Sequence, residues 1–227
     1  MNRRPTLLAA LALTATAALT LSACGGGSGS DEGSAKDKDK DSDKIAGADT
    51  GGEKSAPPSE SSASAAEGRP KIDFPSDAKN VFEYEKTGDP AKDAVLADST
   101  LSVNSVDEAI FVGSTDTEAL GFYNTEKALS GSITYVLGYI KKDDTWVGET
   151  RYFDYKVTLS GANGAYVTYC SDESKSFIKN KKTEKVKDTP TTADSYVLYN
   201  TKLEKRADGV WQTTDVASNR GSKECQP

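Results

Sequence analysis

The sequence contains no histidine. That absence removes the commonest transition-metal ligand, the usual general base near neutral pH, and every Ser-His-Asp or Cys-His arrangement, and most hydrolase chemistry goes with it. Positive charge is also short, with 28 Lys and Arg against 35 Asp and Glu, a net charge of −7 and a pI near 4.8. Neutralising phosphates needs the opposite balance, so nucleic acid is not expected as a partner. Beyond residue 21 there is no long apolar run, which excludes a membrane bundle. Beyond residue 23 there is no Gly-x-Ser-x-Gly, Walker loop, Gly-x-Gly-x-x-Gly or metal-spaced Cys/His set, so no cofactor or metal is expected. What remains, 36% hydrophobic and 28% charged over 227 residues, suits one soluble domain plus non-globular sequence.

Residues 1–23 read as a secretory signal, with Asn2-Arg3-Arg4 as the positive start and Leu7 to Leu21 as a short run of Leu, Ala and Thr. Leu21-Ser22-Ala23-Cys24 followed by Gly25-Gly26-Gly27-Ser28-Gly29-Ser30 resembles a bacterial lipobox. That resemblance implies a diacylglyceryl group on Cys24 and cleavage just before it. Two acyl chains make a stable anchor where one would be marginal. Membrane lipid is then a partner through Cys24, and the location expected is the outer face of the cytoplasmic membrane. Losing residues 1–23 removes two arginines and no acids, which takes the charge from −7 to −9. Anionic headgroups would repel such a surface, so attachment through the lipid alone is expected.

The linker, residues 24–70 with the cysteine included, holds one large apolar side chain, Ile45, and cannot bury enough to offset the entropy of ordering. As a flexible coil it would span about 35 to 40 Å. The alternating Asp37-Lys38-Asp39-Lys40-Asp41 suggests calcium, but an EF-hand loop counted from Asp37 needs Gly and Glu where Ser42 and Ala48 stand. A solvated zwitterionic spacer fits better.

All ten tyrosines, all six phenylalanines and both tryptophans lie from residue 72 onward, and residues 71–227 are long enough for one core. Asp89-Pro90 reads as N-cap and first helical position, with Leu96, Val103, Val106 and Ile110 on one face of a helix over 90–112. Thr115-Asp116-Thr117-Glu118 fits a capping box opening a second helix that ends near Ser130-Gly131, and Ile133, Val136, Leu137 and Ile140 repeat at helical spacing. After Trp146 the period becomes two. Phe153, Tyr155, Val157 and Leu159 alternate with Tyr152, Asp154, Lys156 and Thr158, then turn at 161–164 into Ala165 to Cys170. A second hairpin runs 196–206 and 210–217 about Asp208-Gly209, with Trp211 and Val216 on opposite faces. Residues 171–192, polar and lysine-rich, read as a long mobile connection. The fold class expected is α+β, with N-terminal helices packed on a curved antiparallel sheet.

This order of helices, a strand ending Val167-Thr168-Tyr169-Cys170-Ser171-Asp172, a long loop, a hairpin with Asp208-Gly209-Val210-Trp211 and a last Cys225 is similar to small actinobacterial lipoproteins of the nuclear-transport-factor-2-like superfamily. The resemblance covers about residues 76 to 227 and implies a half-open cone of sheet and helices. The superfamily includes ketosteroid-isomerase-like enzymes, scaffolds and ligand binders, so the fold alone does not choose a function. Three cysteines would leave an odd thiol in an exported protein, but with Cys24 acylated Cys170 and Cys225 remain as one pair. The alternative is two separate buried thiols.

Two catalytic readings arise. Ser176-Phe177-Ile178-Lys179 matches Ser-x-x-Lys, but the only Lys-Thr-Gly, Lys86-Thr87-Gly88, precedes it where a penicillin-binding order needs it to follow. An isomerase-like site needs a cone-lining carboxylate beside a tyrosine, and Asp154 falls on the strand face of Lys156 and reads as exposed. Tyr135, Tyr139, Trp146, Tyr152, Tyr155, Tyr166, Tyr169, Tyr196 and Tyr199 form an aromatic-rich set of which several on one concave face could line a pocket, with Tyr135, Tyr139, Trp146 and Tyr166 as the candidate pocket residues. The reading reached is a non-enzymatic, membrane-anchored envelope lipoprotein presenting a domain that binds an envelope protein or a small ligand. The alternative is a small-molecule pocket of the isomerase-like cone type with weak or no catalysis, which a concave cleft with a buried carboxylate would distinguish from a filled core. A second copy of the chain is a further partner, docking through an apolar patch on the outer sheet face.

Overall fold

The computed structural model describes residues 68–227. Over them the chain runs β1 (Ala78–Phe82), α1 (Pro90–Val112), α2 (Glu118–Tyr123), α3 (Glu126–Ile140), β2 (Asp144–Ser160), β3 (Gly164–Asn180), a 3-10 turn (Ala193–Ser195), β4 (Tyr196–Lys205) and β5 (Trp211–Arg220). Cys24, the signal and residues 25–67 lie outside the described residues.

The first helix starts and stops where local chemistry dictates. The Asp89 carboxylate accepts hydrogen bonds from the Ala91 and Lys92 backbone N–H groups at 2.9 and 3.4 Å, Pro90 occupies the first turn, and Gly113 closes the helix at φ 77°. The exposed carbonyls at its C-terminus are met by the Lys181 ammonium, which donates to the Ile110 and Phe111 oxygens at 2.8 and 3.0 Å. Its inward face is mixed: Leu96 and Ile110 are buried beside Asp98, Ser102, Ser105 and Glu108, while Val103 and Val106 are half-buried.

The second helix differs from the sequence expectation. Its N-cap is Thr117, whose hydroxyl accepts from the Leu120 N–H, and it ends at Tyr123, after which α3 passes straight through Ser130-Gly131. Asn124 makes the break. Its amide donates to the Leu120 oxygen and the Ser105 hydroxyl and its oxygen accepts from Ser102, while the next N–H, Thr125, donates to Thr213 of β5. A side chain that satisfies the helix end while the backbone joins the sheet stops the helix there.

The fold is α+β, with five strands in the order β1-β2-β3-β4-β5. The sheet is antiparallel except for β1, which pairs in parallel with β2 and was not foreseen. Both α1 and α3 pack against β2 and β5. In a flat sheet those strands would stand three spacings apart, roughly 14 Å, more than one helix diameter. The sheet therefore curls around the helices, as expected for a cone.

Bulges correct two assignments of face. Asp154 takes φ 56° within the register shift between Phe153 and Lys156, so Tyr152 and Tyr155 both point inward while Phe153 points outward beside the Cys170–Cys225 disulfide. The shift between Lys202 and Leu203 leaves Thr214 unpaired, and Trp211 and Val216 consequently share the inner face. A residue in the left-handed region or an extra residue resets the period of two, which reading by alternation cannot detect. Gly148, at φ 100°, belongs to another such site: a Cβ there would stand 2.1 Å from the Lys175 oxygen.

The mobile connection proposed for 171–192 is also corrected. Residues 171–180 continue β3, opposite β2 residues from Tyr152 down to Asp144. Lys187 then ties back through its N–H to the Ile178 oxygen. The polar composition that suggested a loop arises because Glu173 and Ser176 face a cavity instead of packed apolar core.

Candidate functional site

The concave side of the sheet, α1, α3 and the segment 189–195 line a half-open cavity of about 670 Å³. It borders both main clusters of the core, the one around Val95, Leu96, Val167, Leu203 and Trp211 and the one around Ala109, Ile110, Leu120 and Val136. Curvature of the sheet holds these layers apart, and side chains of α1 leave the space unfilled because Ser99 and Ser102 are small.

Of the four candidate residues, three come together here. Tyr135 and Tyr139, one turn apart on α3, line the cavity with their hydroxyls 3.2 Å apart and their rings edge to face at 5.3 Å. Trp146 at the start of β2 lines it as well. Tyr166 does not: Ala165 and Val167 point into the core, so Tyr166 between them stands on the outer face, half exposed. Around it that face is polar, with Thr168 hydrogen-bonded to Asn200 and Lys202 paired with Glu204.

Further residues of the aromatic set were not among those four. Tyr152, Tyr169 and Tyr199, neighbours across β2, β3 and β4, also line the cavity, and the rings of Tyr155, Tyr169 and Tyr199 stack at 5.0 and 5.1 Å. Burial drives the Tyr152, Tyr169 and Tyr199 hydroxyls well above the usual range, so they remain protonated donors.

The carboxyl at the centre is Asp107, from the last turns of α1. Its Oδ2 accepts from the Asn80 amide at 2.7 Å and its Oδ1 from the Trp146 indole N–H at 3.2 Å. Desolvation pushes its pKa from the ordinary 3.8 up to about 7, against the lowering effect of those two hydrogen bonds. Sequence reasoning missed it because Asp107 precedes Glu108 in a polar helix turn that looks solvated, and because Asn80 arrives only through the β1 pairing. Asp154, weighed as the cone carboxylate, is exposed on the bulge. The Ser-x-x-Lys match is on a strand, which puts Ser176 on the cavity side and Lys179 on the other, where it pairs with Glu184. Among the described residues no group of three His, Cys, Asp or Glu comes together to hold a metal.

Asp107 makes stability depend on pH. Its folded pKa lies above its unfolded value, so the native state holds the extra proton between about pH 4 and 7 and stability falls as pH rises through that window. Asp107→Asn is therefore expected to be more stable than the parent by about 2 to 3 kcal/mol at pH 8 and no more stable at pH 4, after allowing for water in the cavity. Thermal melts at the two pH values check this, and an equal effect at both would contradict it.

No protein-family model matches the chain, and no curated protein matches it. Among solved structures it is similar to a ketosteroid isomerase-like protein from Erwinia carotovora atroseptica, at 16% identity and a TM-score of 0.39 over 59% of this chain and 98% of that one. It is also similar to the intermembrane space region of the chloroplast protein ARC6, at 11% identity and a TM-score of 0.35 over 57% of this chain and 94% of that one. Similarity at this level transfers no activity, and the cavity has to be read from its own chemistry.

Proposed function

We propose that this chain is a lipid-anchored binding protein whose cavity holds a small molecule outside the membrane without turning it over. The observation that carries the reading is the cavity itself: about 670 Å³, inside the range of ligand sites, with aromatic walls and a half-buried carboxyl, Asp107, on its wall. A concave cleft with a carboxyl on its wall is what distinguishes a small-molecule pocket of this cone type, with weak or no catalysis, from a filled core. Anchoring rests on the lipobox around Cys24. A tether of some forty residues would let the cavity sample the space near the membrane surface.

One preparation tests both parts. The Cys24→Ser form is expressed in an exporting bacterium that lipidates such proteins, collected without reductant and weighed by native mass spectrometry. Release into the medium together with a reproducible added mass is the expected result. Retention of that form in the membrane would overturn the anchor, and a bare protein from every preparation, unaffected by soaking in cell extract, would overturn the ligand.

A further inference from the structure

The charges inside the cavity do not balance, and the imbalance has a sign. Three acidic residues line it, Asp107, Glu173 and Asp194, against two cations, Lys127 and Arg220. Arg220 is paired with Glu173: its nitrogens donate to both Glu173 oxygens at 2.7 and 3.1 Å and to the Asp194 carbonyl at 2.7 Å. Lys127, at the α3 side of the wall, extends toward Asp215 at 3.5 Å. Among the described residues no lysine or arginine lies within ion-pair distance of Asp107, whose two partners are neutral donors. Once ionised, above about pH 7, Asp107 thus adds to the wall a negative charge that no cation pairs.

The walls reinforce that sign. Tyr135, Tyr139, Tyr152 and Tyr199 line the same cavity from α3, β2 and β4, and aromatic faces carry negative potential that attracts cations. An anionic ligand would meet more carboxylates than cations. A neutral one would leave the Asp107 charge unmatched. A cation with an apolar body satisfies both the carboxylate and the rings.

We infer that the cavity selects an organic ammonium ion with an apolar or aromatic body, its nitrogen seated against Asp107 and its body among the tyrosines. This rests on the cavity being a ligand site and goes further by fixing the charge of the ligand. It also predicts a pH dependence. The groups facing Asp107 are Tyr135 and Tyr139 from α3, Tyr152 from β2, Tyr169 and Glu173 from β3, Tyr199 from β4 and Arg220 from β5. The tyrosines are held protonated and Glu173 is locked to Arg220, which leaves Asp107 to change charge near neutrality.

The test is calorimetric titration of the full chain with phenethylammonium chloride and with its neutral counterpart 2-phenylethanol, at pH 8 and pH 6. The ammonium is expected to bind at least tenfold more tightly than the alcohol at pH 8, and its affinity to fall about tenfold by pH 6 while that of the alcohol stays constant. Asp107→Asn should erase the preference for the ammonium over the alcohol. Should that variant fail to fold, the pH series on the parent chain decides. Equal affinity for the two probes, a preference for the alcohol, or a pH-independent ammonium affinity would overturn the charge assignment while leaving the cavity a ligand site. Failure of both probes alongside a neutral molecule recovered from the cell would do the same, whereas the empty preparation described above removes the ligand site itself.

Discussion

Arg69→Met is expected to cost about 3 to 5 kcal/mol of stability, the usual consequence of removing one partner of a buried ion pair. For a domain of this size that is roughly 10 to 15 °C in Tm. Asp98, 1% exposed in the middle of α1, is paired with the Arg69 guanidinium through both of its oxygens and accepts one further hydrogen bond, from the Trp211 backbone N–H at 2.8 Å. Arg69 also reaches the Tyr123 hydroxyl at 3.4 Å, so a single guanidinium joins α1 and α2 and, through Asp98, the start of β5. Without it a carboxylate stays in the core with one backbone donor. The double variant Arg69→Met with Asp98→Asn should recover most of the loss, because the charge leaves with its partner. Circular dichroism melts of the parent and the two variants make the comparison, and a single variant melting within 2 °C of the parent would refute the claim.

Cys225→Ser is expected to cost about 4 kcal/mol by the chain-entropy estimate for a 55-residue loop. The bridge to Cys170 fixes the C-terminal segment against the outer face of β3 and β4, where Tyr196 is buried with both cysteines and Phe153 and Leu198 pack on them. Cys170 also lies between Tyr169 and Ser171, so the same bond that holds the tail steadies the strand presenting Tyr169 to the cavity. Denaturant curves should show the variant coinciding with the reduced parent, both well below the oxidised parent. A parent whose midpoint ignores reductant would show that the bond contributes nothing to stability.

How much of this was legible varies with the range of the interaction that decides it. The ends of α1 were readable because Asp89, Pro90 and Gly113 act on their own backbone neighbours. The strand pairs 196–205 with 211–220 followed from a turn sequence between alternating runs. The face assignments failed after Asp154 and Thr214, since a bulge is set by what the neighbouring strand can accommodate. Residues 171–180 were misread for a related reason, because a strand facing a polar cavity has no apolar alternation to display. Tyr135, Tyr139 and Trp146 were found as candidates from their type and density, whereas Tyr166, chosen by the same rule, is on the outside.

By itself the sequence determined the elements whose cause is local: a capped first helix, strand pairs with their turns, a pair of cysteines, and an acidic, histidine-free composition that excludes whole classes of chemistry. The tertiary structure alone decided the site. Asp107 becomes a hydrogen-bonded cavity carboxyl only when β1, unrecognised as a strand, brings Asn80 beside it and β2 brings Trp146. Arg69, assigned to the tether on composition, becomes part of the core only because Asp98 on the next helix has no other cation. Desolvation and charge pairing depend on what packs around a group in three dimensions, and no spacing along the chain encodes them.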